Sequence, residues 1–529
     1  MSHSLENKYS DQMKNTSVEN ISLENQNFLY FPIEKQQLQE NEFSILRNFW
    51  PDTKGPIIRG GCKKICKLSC NSSITSAFSY KSNKLQRVFI TNNQEIYDVT
   101  NYSTIQSENL CVSNMKSGEW ITFHYTTSEK TFLIALNGQD ERQVYDGNEW
   151  KSDNTKITFN EHNKNNPIYF SYGWIFKNRQ WYIELDSMDA WYLPPKSLGG
   201  VAKFFPLGGV MQEGGELLAG FSWSNESDDG LSTLCIFLSN LGELAVYGGD
   251  DPDVESSFSL KAISYWTSIR EKAIVFVKND VLIATKNGLI SIRNTILQEN
   301  KNNLPLSWPI QEEWEQAVMV APTGWSMTLW EEKNMLLISY PQNSISSHKT
   351  FVMNVDHNNR WASFHNWFTK SYVVSNENLF FGDYDGNFWQ GDVTGSDNMQ
   401  PFTAVYLSPF HEIDPRLGFK RKSCVAHISL LSCQRPYIKL FSRSNYDYTY
   451  PDFSKETINN HLVNNCIWDN SLWDEVKWTD EVSFTRKKLF NFCQNVVAYG
   501  NFLAVGFVIV SSGQFINDIQ IKNAKLLVE

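Results

Sequence analysis

The run Asp383-Tyr384-Asp385-Gly386-Asn387, followed by Asp392, places oxygen ligands at alternating positions beside a glycine, as calcium loops do. It lacks the third Asp or Asn before the glycine and the bidentate Glu of an EF-hand, and an Asp-Gly hairpin turn accounts for Asp383 and Asp385 without a metal. Cys62, Cys66 and Cys70 are spaced so that they would converge on one helix face. Structural zinc takes four ligands, however, and no fourth Cys or His lies nearby. Free, partly buried thiols are expected there, and the odd total of nine cysteines, behind a start with neither a basic nor an apolar signal region, points to reduced thiols throughout. No metal or cofactor is assigned.

Nucleophile and phosphate motifs are missing from the sequence: there is no GxSxG elbow, no GxxxxGK[ST], no GxGxxG after a strand and no HExxH. The glycine pairs at 199–200, 208–209 and 214–215 read as turns. His357 and His365 flank Trp361 and read as ordinary core or surface histidines. Carboxylates together with 18 tryptophans are the ingredients of glycan cleavage, but the Ser-x-Asp-x-Gly-x-Thr-Trp repeat is absent. A non-enzymatic protein is expected. A host-glycan-binding or glycan-degrading propeller is the alternative.

The elements that would carry these residues are strands. Aromatic residues make up 14% of the 529 and charged residues only 20%, which favours pleated surfaces and disfavours long solvated helices. The longest apolar stretch, residues 496–510, is broken by Gly500, Asn501 and Gly506 and reads as buried strands, so no membrane span is expected. Short β-prone runs recur around tight polar turns. Examples are Val88-Phe89-Ile90 before Thr91-Asn92-Asn93, Phe132 to Leu136 before Asn137-Gly138, Trp174-Ile175-Phe176 before Lys177-Asn178, and Val281-Leu282-Ile283-Ala284 before Asn287-Gly288. The hairpins recur about every 40 to 60 residues, the rhythm of four-stranded propeller blades. The expected fold is all-β: a β-propeller of six to eight blades over residues 43–394, a C-terminal β region over 395–529 that closes or packs on it, and a flexible polar N-terminal extension over 1–42. Trp468, Trp473 and Trp478 fall five apart in Leu/Ile-Trp-Asp units and read as successive turns that each bury an indole.

The net charge of −11, with only short basic groups at Arg59, Lys63, Lys64 and Lys67 and at 420–422, disfavours sequence-specific nucleic-acid binding. It is compatible with an acidic or neutral conduit through which double-stranded DNA passes without adhering.

Several segments, taken in order, resemble a known family. They are Ile96-Tyr97-Asp98-Val99-Thr100, the run 205–210, Gly214-Gly215-Glu216-Leu217-Leu218-Ala219, the run 242–252 ending Gly249-Asp250-Asp251-Pro252, Val281 to Leu289, Asn378-Leu379-Phe380-Phe381-Gly382, Lys420-Arg421-Lys422 and the Leu-Trp-Asp units. Together they resemble the tail hub or nozzle protein of short-tailed bacteriophages, also described as a tail accessory or packaged-DNA stabilisation protein. The resemblance runs from about residue 55 to the C-terminus. It implies a propeller-bearing structural subunit, made in the bacterial cytoplasm, six copies of which form a ring in the tail of a virion, gene transfer agent or other phage-like particle. That ring would sit below the portal and adaptor, continue the DNA channel, retain packaged DNA and anchor tail fibres or a needle-like plug. Ring contacts would be heterologous. The candidate interface residues are Asp228, Asp229, Asp250, Asp251, Asp253, Trp468, Trp473 and Trp478.

Overall fold

A computed structural model describes the strand Ser17–Ile21 and residues 44–528, apart from 69–71, 101–108, 153–155, 160–167, 228–229, 255, 266–272, 298–303, 343–347, 357–358, 413–419, 454–486 and 514–515. The chain is a seven-bladed β-propeller joined to a β-sandwich. Blade 1 runs from Ser76–Lys81 to Leu110–Val112, blade 2 from Ile121–Thr126 to Trp150–Ser152, and blade 3 from Phe170–Phe176 to Gly200–Pro206. Blade 4 spans Leu217–Ser227 to Phe258–Tyr265, and blade 6 spans Ser326–Trp330 to Trp361–His365. Among the described residues blade 5 has three strands, Ile274–Val277, Asp280–Thr285 and Gly288–Ser291. Helices Ile292–Leu297 and Gln311–Val320 follow these strands, and Trp314 of the second packs in the core between blades 5 and 6.

Local chemistry explains the hairpins. Asn92 accepts from the backbone N–H of Gln94 and Glu95, and Asn137 does the same for Gln139 and Asp140, so each side chain mimics a backbone turn. In blade 3 both turn residues, Lys177 and Asn178, have positive φ (49° and 60°), the type I′ geometry that matches strand twist. The blades then pack face to face through aromatic rings. Trp174 and Trp181 stack at 5.9 Å, with Phe237 of the next blade 5.6 Å from Trp181. Comparable clusters join blade 1 to 2 around Phe89 and Tyr145, 2 to 3 around Tyr182 and Trp191, and 5 to 6 around Trp314 and Trp361. The high aromatic content is the filling of these inter-blade layers.

The ring closes on an N-terminal strand. Blade 7 comprises Thr369–Ser375, Asn378–Asp383 and Asn387–Thr394, and its outer strand is Gly61–Lys67, paired from Lys67 opposite Asn387 to Gly61 opposite Thr394. The free edge of that strand carries exposed Lys63, Lys64 and Lys67, a charged edge that discourages further strand pairing. Blade 7 meets blade 1 through Gln86 Nε2 to Ser375 Oγ at 2.8 Å. Cys62 and Cys66 therefore lie on a strand, not on the helix face expected from their spacing, and both are buried.

Strand Ile45–Arg47 runs between the last strand of blade 6, parallel to it at Arg47 opposite Ser363, and Phe402–Leu407, to which it is antiparallel. The blade 6 sheet thus continues without a break into the C-terminal half, reaching Phe502–Ser511 and Tyr437–Ser444. A second sheet, centred on Arg421–Ser432 and Gln520–Val528, packs on it through Ala426, Ile428, Phe507 and Leu526. Residues 45–58 belong with this sandwich, so the two halves do not separate at one point near residue 395. Within the N-terminal extension, Ser17–Ile21 adds to Gln520–Val528, from Ser17 opposite Val528 to Ile21 opposite Ala524.

Arg59, fully buried, holds this junction together. Its two Nη groups form a fork on Asp397 at 2.9 and 2.8 Å, and they also donate to the carbonyls of Gly60 and His365, both at 2.9 Å. Its Nε donates to Asn48 Oδ1 at 3.0 Å, and its plane lies 4.0 Å from the Phe402 ring centre. Breaking a buried pair leaves an uncompensated charge. Asp397→Asn should therefore lower unfolding free energy by about 3 to 5 kcal/mol in a urea titration, and a loss below about 1 kcal/mol would show that the junction does not depend on the pair.

Candidate functional site

Of the candidate interface residues, Asp228, Asp229, Trp468, Trp473 and Trp478 lie outside the described residues. The three aspartates of the 250–253 loop are described. This loop follows strand Glu243–Gly249 of blade 4 and reaches across to blade 3. Lys177 meets Asp250 at 2.7 Å, Arg179 meets Asp251 at 2.6 Å, and Lys203 meets Asp253 at 2.7 Å. The Tyr192 hydroxyl donates to the same Asp253 oxygen at 2.7 Å. Gly249, at φ 130°, makes the turn possible, since a Cβ there would sit 1.6 Å from the Ser257 carbonyl oxygen. Asp251 and Asp253 are thus engaged within the chain as an inter-blade latch, while the Asp250 side chain, 80% exposed, remains accessible beside its lysine.

Burial opposes charge on Asp253, but hydrogen bonds from Lys203 and Tyr192 and the nearby Lys203 and Arg179 charges outweigh it and hold its carboxyl below the usual range. Burial, reinforced by the Asp253 hydrogen bond, pushes the Tyr192 phenol up. A carboxylate with a depressed folded pKa contributes stability above its unfolded pKa, and that contribution is lost as pH falls through the folded value.

The blade 7 turn, where oxygen ligands stood at calcium-like spacing, is satisfied by the protein itself. Asp383 accepts from the N–H of Asp385 at 2.9 Å and of Asn387 at 2.7 Å, from Asn387 Nδ2 at 2.7 Å and from Trp389 Nε1 at 2.8 Å. Asp392, on the same strand as Trp389, is turned to the junction, where it accepts from Trp50 Nε1 at 3.0 Å and from Gly60 N and pairs with Lys333. Among the described residues no group of three or more His, Cys, Asp or Glu could hold a metal. Burial raises the Cys66 thiol to about 12 and pushes Cys62 well above its ordinary value. Cys70 and His357 lie outside the described residues, and burial drives His365 well below the usual histidine range.

The first strands of successive blades face the propeller axis, and most of them touch their neighbours. These seven strands carry only Lys81, Glu226 and Lys370 as formally charged residues, so they contribute little net charge of either sign. Sequence reasoning missed both the Arg59 junction and a cleft of about 640 Å3 beside blade 5, lined by Lys286, Asn287, Trp308, Gln311 and Glu315 among others. The only hint in the sequence was the helix-like stretch 311–320 interrupting an all-β pattern.

Fold and geometry define a β-propeller protein with an integral β-sandwich. No family model and no curated protein matches the chain. Among solved structures the chain is similar to Raptor from Chaetomium thermophilum, with 10% identity over 63% of this chain and 29% of that one at a TM-score of 0.38. It is also similar to BBS1N, solved in complex with ARL6DN, with 9% identity over 63% of this chain and 97% of that one at a TM-score of 0.38. The chain therefore spans less than a third of the Raptor chain that it matches.

Asp253→Asn should lower the melting temperature at neutral pH, and the difference from the unsubstituted protein should shrink as pH falls below the ordinary aspartate value of about 4 and through the lower value of the native carboxylate. An unchanged gap at acid pH in calorimetric scans would contradict the latch. Calcium in place of a chelator should leave the melting temperature where it is, because a ligand bound only by the folded state would raise it. In thiol labelling mapped by mass spectrometry, exposed Cys111 and Cys493 should react in the native protein, whereas Cys62, Cys66 and Cys235 should wait for unfolding.

Proposed function

We propose that the protein is a non-enzymatic structural subunit of a virion tail, a hub or nozzle ring component of a short-tailed phage or phage-like particle. The observation that carries this reading is the ordered series of segments resembling that family. In the fold, Ile96–Asp98 lies in blade 1, the 205–210 and 214–219 runs link blades 3 and 4, and the 242–252 run ends in the inter-blade latch. Val281 and its neighbours lie in blade 5, Asn378–Asp383 in blade 7, and 420–422 at the start of the long sandwich strand Arg421–Ser432.

The architecture suits a load-bearing role. One sheet runs through blade 6 into the sandwich, so displacement of one half bends a continuous hydrogen-bonded ladder instead of a linker. In this reading DNA passes along the axis of a sixfold ring of subunits and not along the axis of a single propeller. The ring would bury one patch of each subunit against a different patch of its neighbour. Portal or adaptor, and fibre or plug proteins, would occupy its two faces.

Particles made with and without the gene test the proposal. Loss of the protein should give tailless or leaking heads with reduced nuclease-protected DNA, and imaging of intact particles should show a sixfold ring at the neck or tail. Complete particles that keep their DNA and fail only in adsorption, or in degradation of host glycan, would overturn it.

A further inference from the structure

Among the described residues blade 5 has three strands, and the cleft of about 640 Å3 lies beside the last of them, Gly288–Ser291. Its wall is built firmly. Segment 305–307 is fastened to Gly288–Ser291 by Leu306 N to Leu289 O at 2.8 Å and Leu289 N to Ser307 Oγ at 3.0 Å. Trp361 Nε1 holds the Leu306 carbonyl at 3.0 Å. Gly288 lies so close that a Cβ would come within 2.5 Å of Pro305 Cβ, so the wall and the turn are locked together.

Two aromatic rings in the lining stay open to solvent, Trp308 at 43% and Tyr265 at 60% exposure. The polar lining consists mainly of neutral groups. The side-chain amides of Asn287 and Asn294 have no hydrogen-bond partner among the described residues. Gln311 donates to the Asn287 carbonyl at 3.2 Å and to Glu315 Oε1 at 2.9 Å, while its own Oε1 is buried with no acceptor contact satisfied. An unmet buried acceptor is costly unless a ligand or water donates to it. Lys286 and Glu315 are the charged side chains of the lining, and their formal charges cancel.

We propose that this cleft binds a short, uncharged oligosaccharide. A sugar ring offers a face of C–H groups that packs on an exposed indole or phenol and an edge of hydroxyls that both donate and accept. Planar amides and a carboxylate fixed by a neighbouring glutamine are suited to pairs of adjacent hydroxyls. A phosphate or carboxylate ligand would face one lysine offset by one carboxylate. A purely apolar peptide side chain would cover the free amides without pairing them, at the cost of their desolvation. The inference does not depend on the tail-hub reading.

The test uses the full chain with chitotetraose, cellotetraose and maltotetraose as probes, followed by ligand-observed NMR and tryptophan fluorescence. At least one should bind with a dissociation constant of about 1 mM or tighter. Trp308→Ala should weaken that binding about tenfold or more. Asn287→Ala should weaken it as well, with the melting temperature of both variants near that of the unsubstituted protein. Absence of binding by all three probes at about 10 mM overturns the inference. So does a Trp308→Ala protein that binds as well as the parent. If saccharides do not bind but Trp308→Ala prevents self-assembly in sedimentation experiments, the cleft is a protein seat and the saccharide inference fails. A ring that assembles and retains DNA without binding saccharide refutes this inference and leaves the tail-hub proposal standing.

Discussion

The two-pronged pairing of Arg59 with Asp397 is the constraint on which both halves of the molecule depend. A guanidinium that is completely removed from solvent must place all of its donors, and here they reach Asp397, Asn48 and the carbonyls of Gly60 and His365. Those partners come from the N-terminal segment, the end of blade 6 and the chain just after blade 7. Aromatic faces of Phe364, Trp367 and Phe402 surround the cation and exclude water, which strengthens each hydrogen bond and raises the cost of losing one. Because Asn48 also donates to the Thr403 carbonyl and accepts from the His365 N–H, the same network sets the alignment of strand Ile45–Arg47 between propeller and sandwich.

Closure by the strand Gly61–Lys67 follows from this joint. That strand begins two residues after Arg59, so anchoring the arginine delivers the strand to the edge of blade 7, more than 300 residues away in sequence. Joining such distant segments has a large loop-closure cost that local propensity cannot offset, and the buried charge pair with its ring of aromatics supplies the specific attraction. A propeller closed in this way has no open edge between its first and last blades. Its remaining edges are short, and the one on Gly61–Lys67 is guarded by lysines.

The inter-blade layers divide the work between aromatic filling and a few polar fasteners. Rings such as Trp181 and Phe237 bury area and set the spacing between blades, while the aspartates after Gly249 choose which turn of the neighbouring blade is gripped. The same loop that resembles a family segment is thus a structural element first, and Asp250 alone of its three carboxylates stays largely open to a partner. Beside blade 5 the helix Gln311–Val320 is held by an indole anchor, Trp314 Nε1 to Thr285 O at 2.9 Å, and a cleft of about 640 Å3 opens there.

The sequence by itself determined what depends on near neighbours. Asn92, Asn137 and Asp383 specify turns through their own backbone contacts, alternating apolar runs specify strands, and the spacing of hairpins specifies repeated blades; all of these are legible because each is settled within a few residues. The tertiary structure decided the rest. Cys62 and Cys66 have helical spacing yet form a strand because blade 7 offers an unpaired edge, which overrides local periodicity. The N-terminal strand Ile45–Arg47 belongs with a C-terminal sheet, and Asp392 accepts from Trp50 Nε1, because their partners lie hundreds of residues away. Pairings of that kind depend on long-range packing and on which buried polar group finds its complement, and neither is encoded in any local pattern of residues.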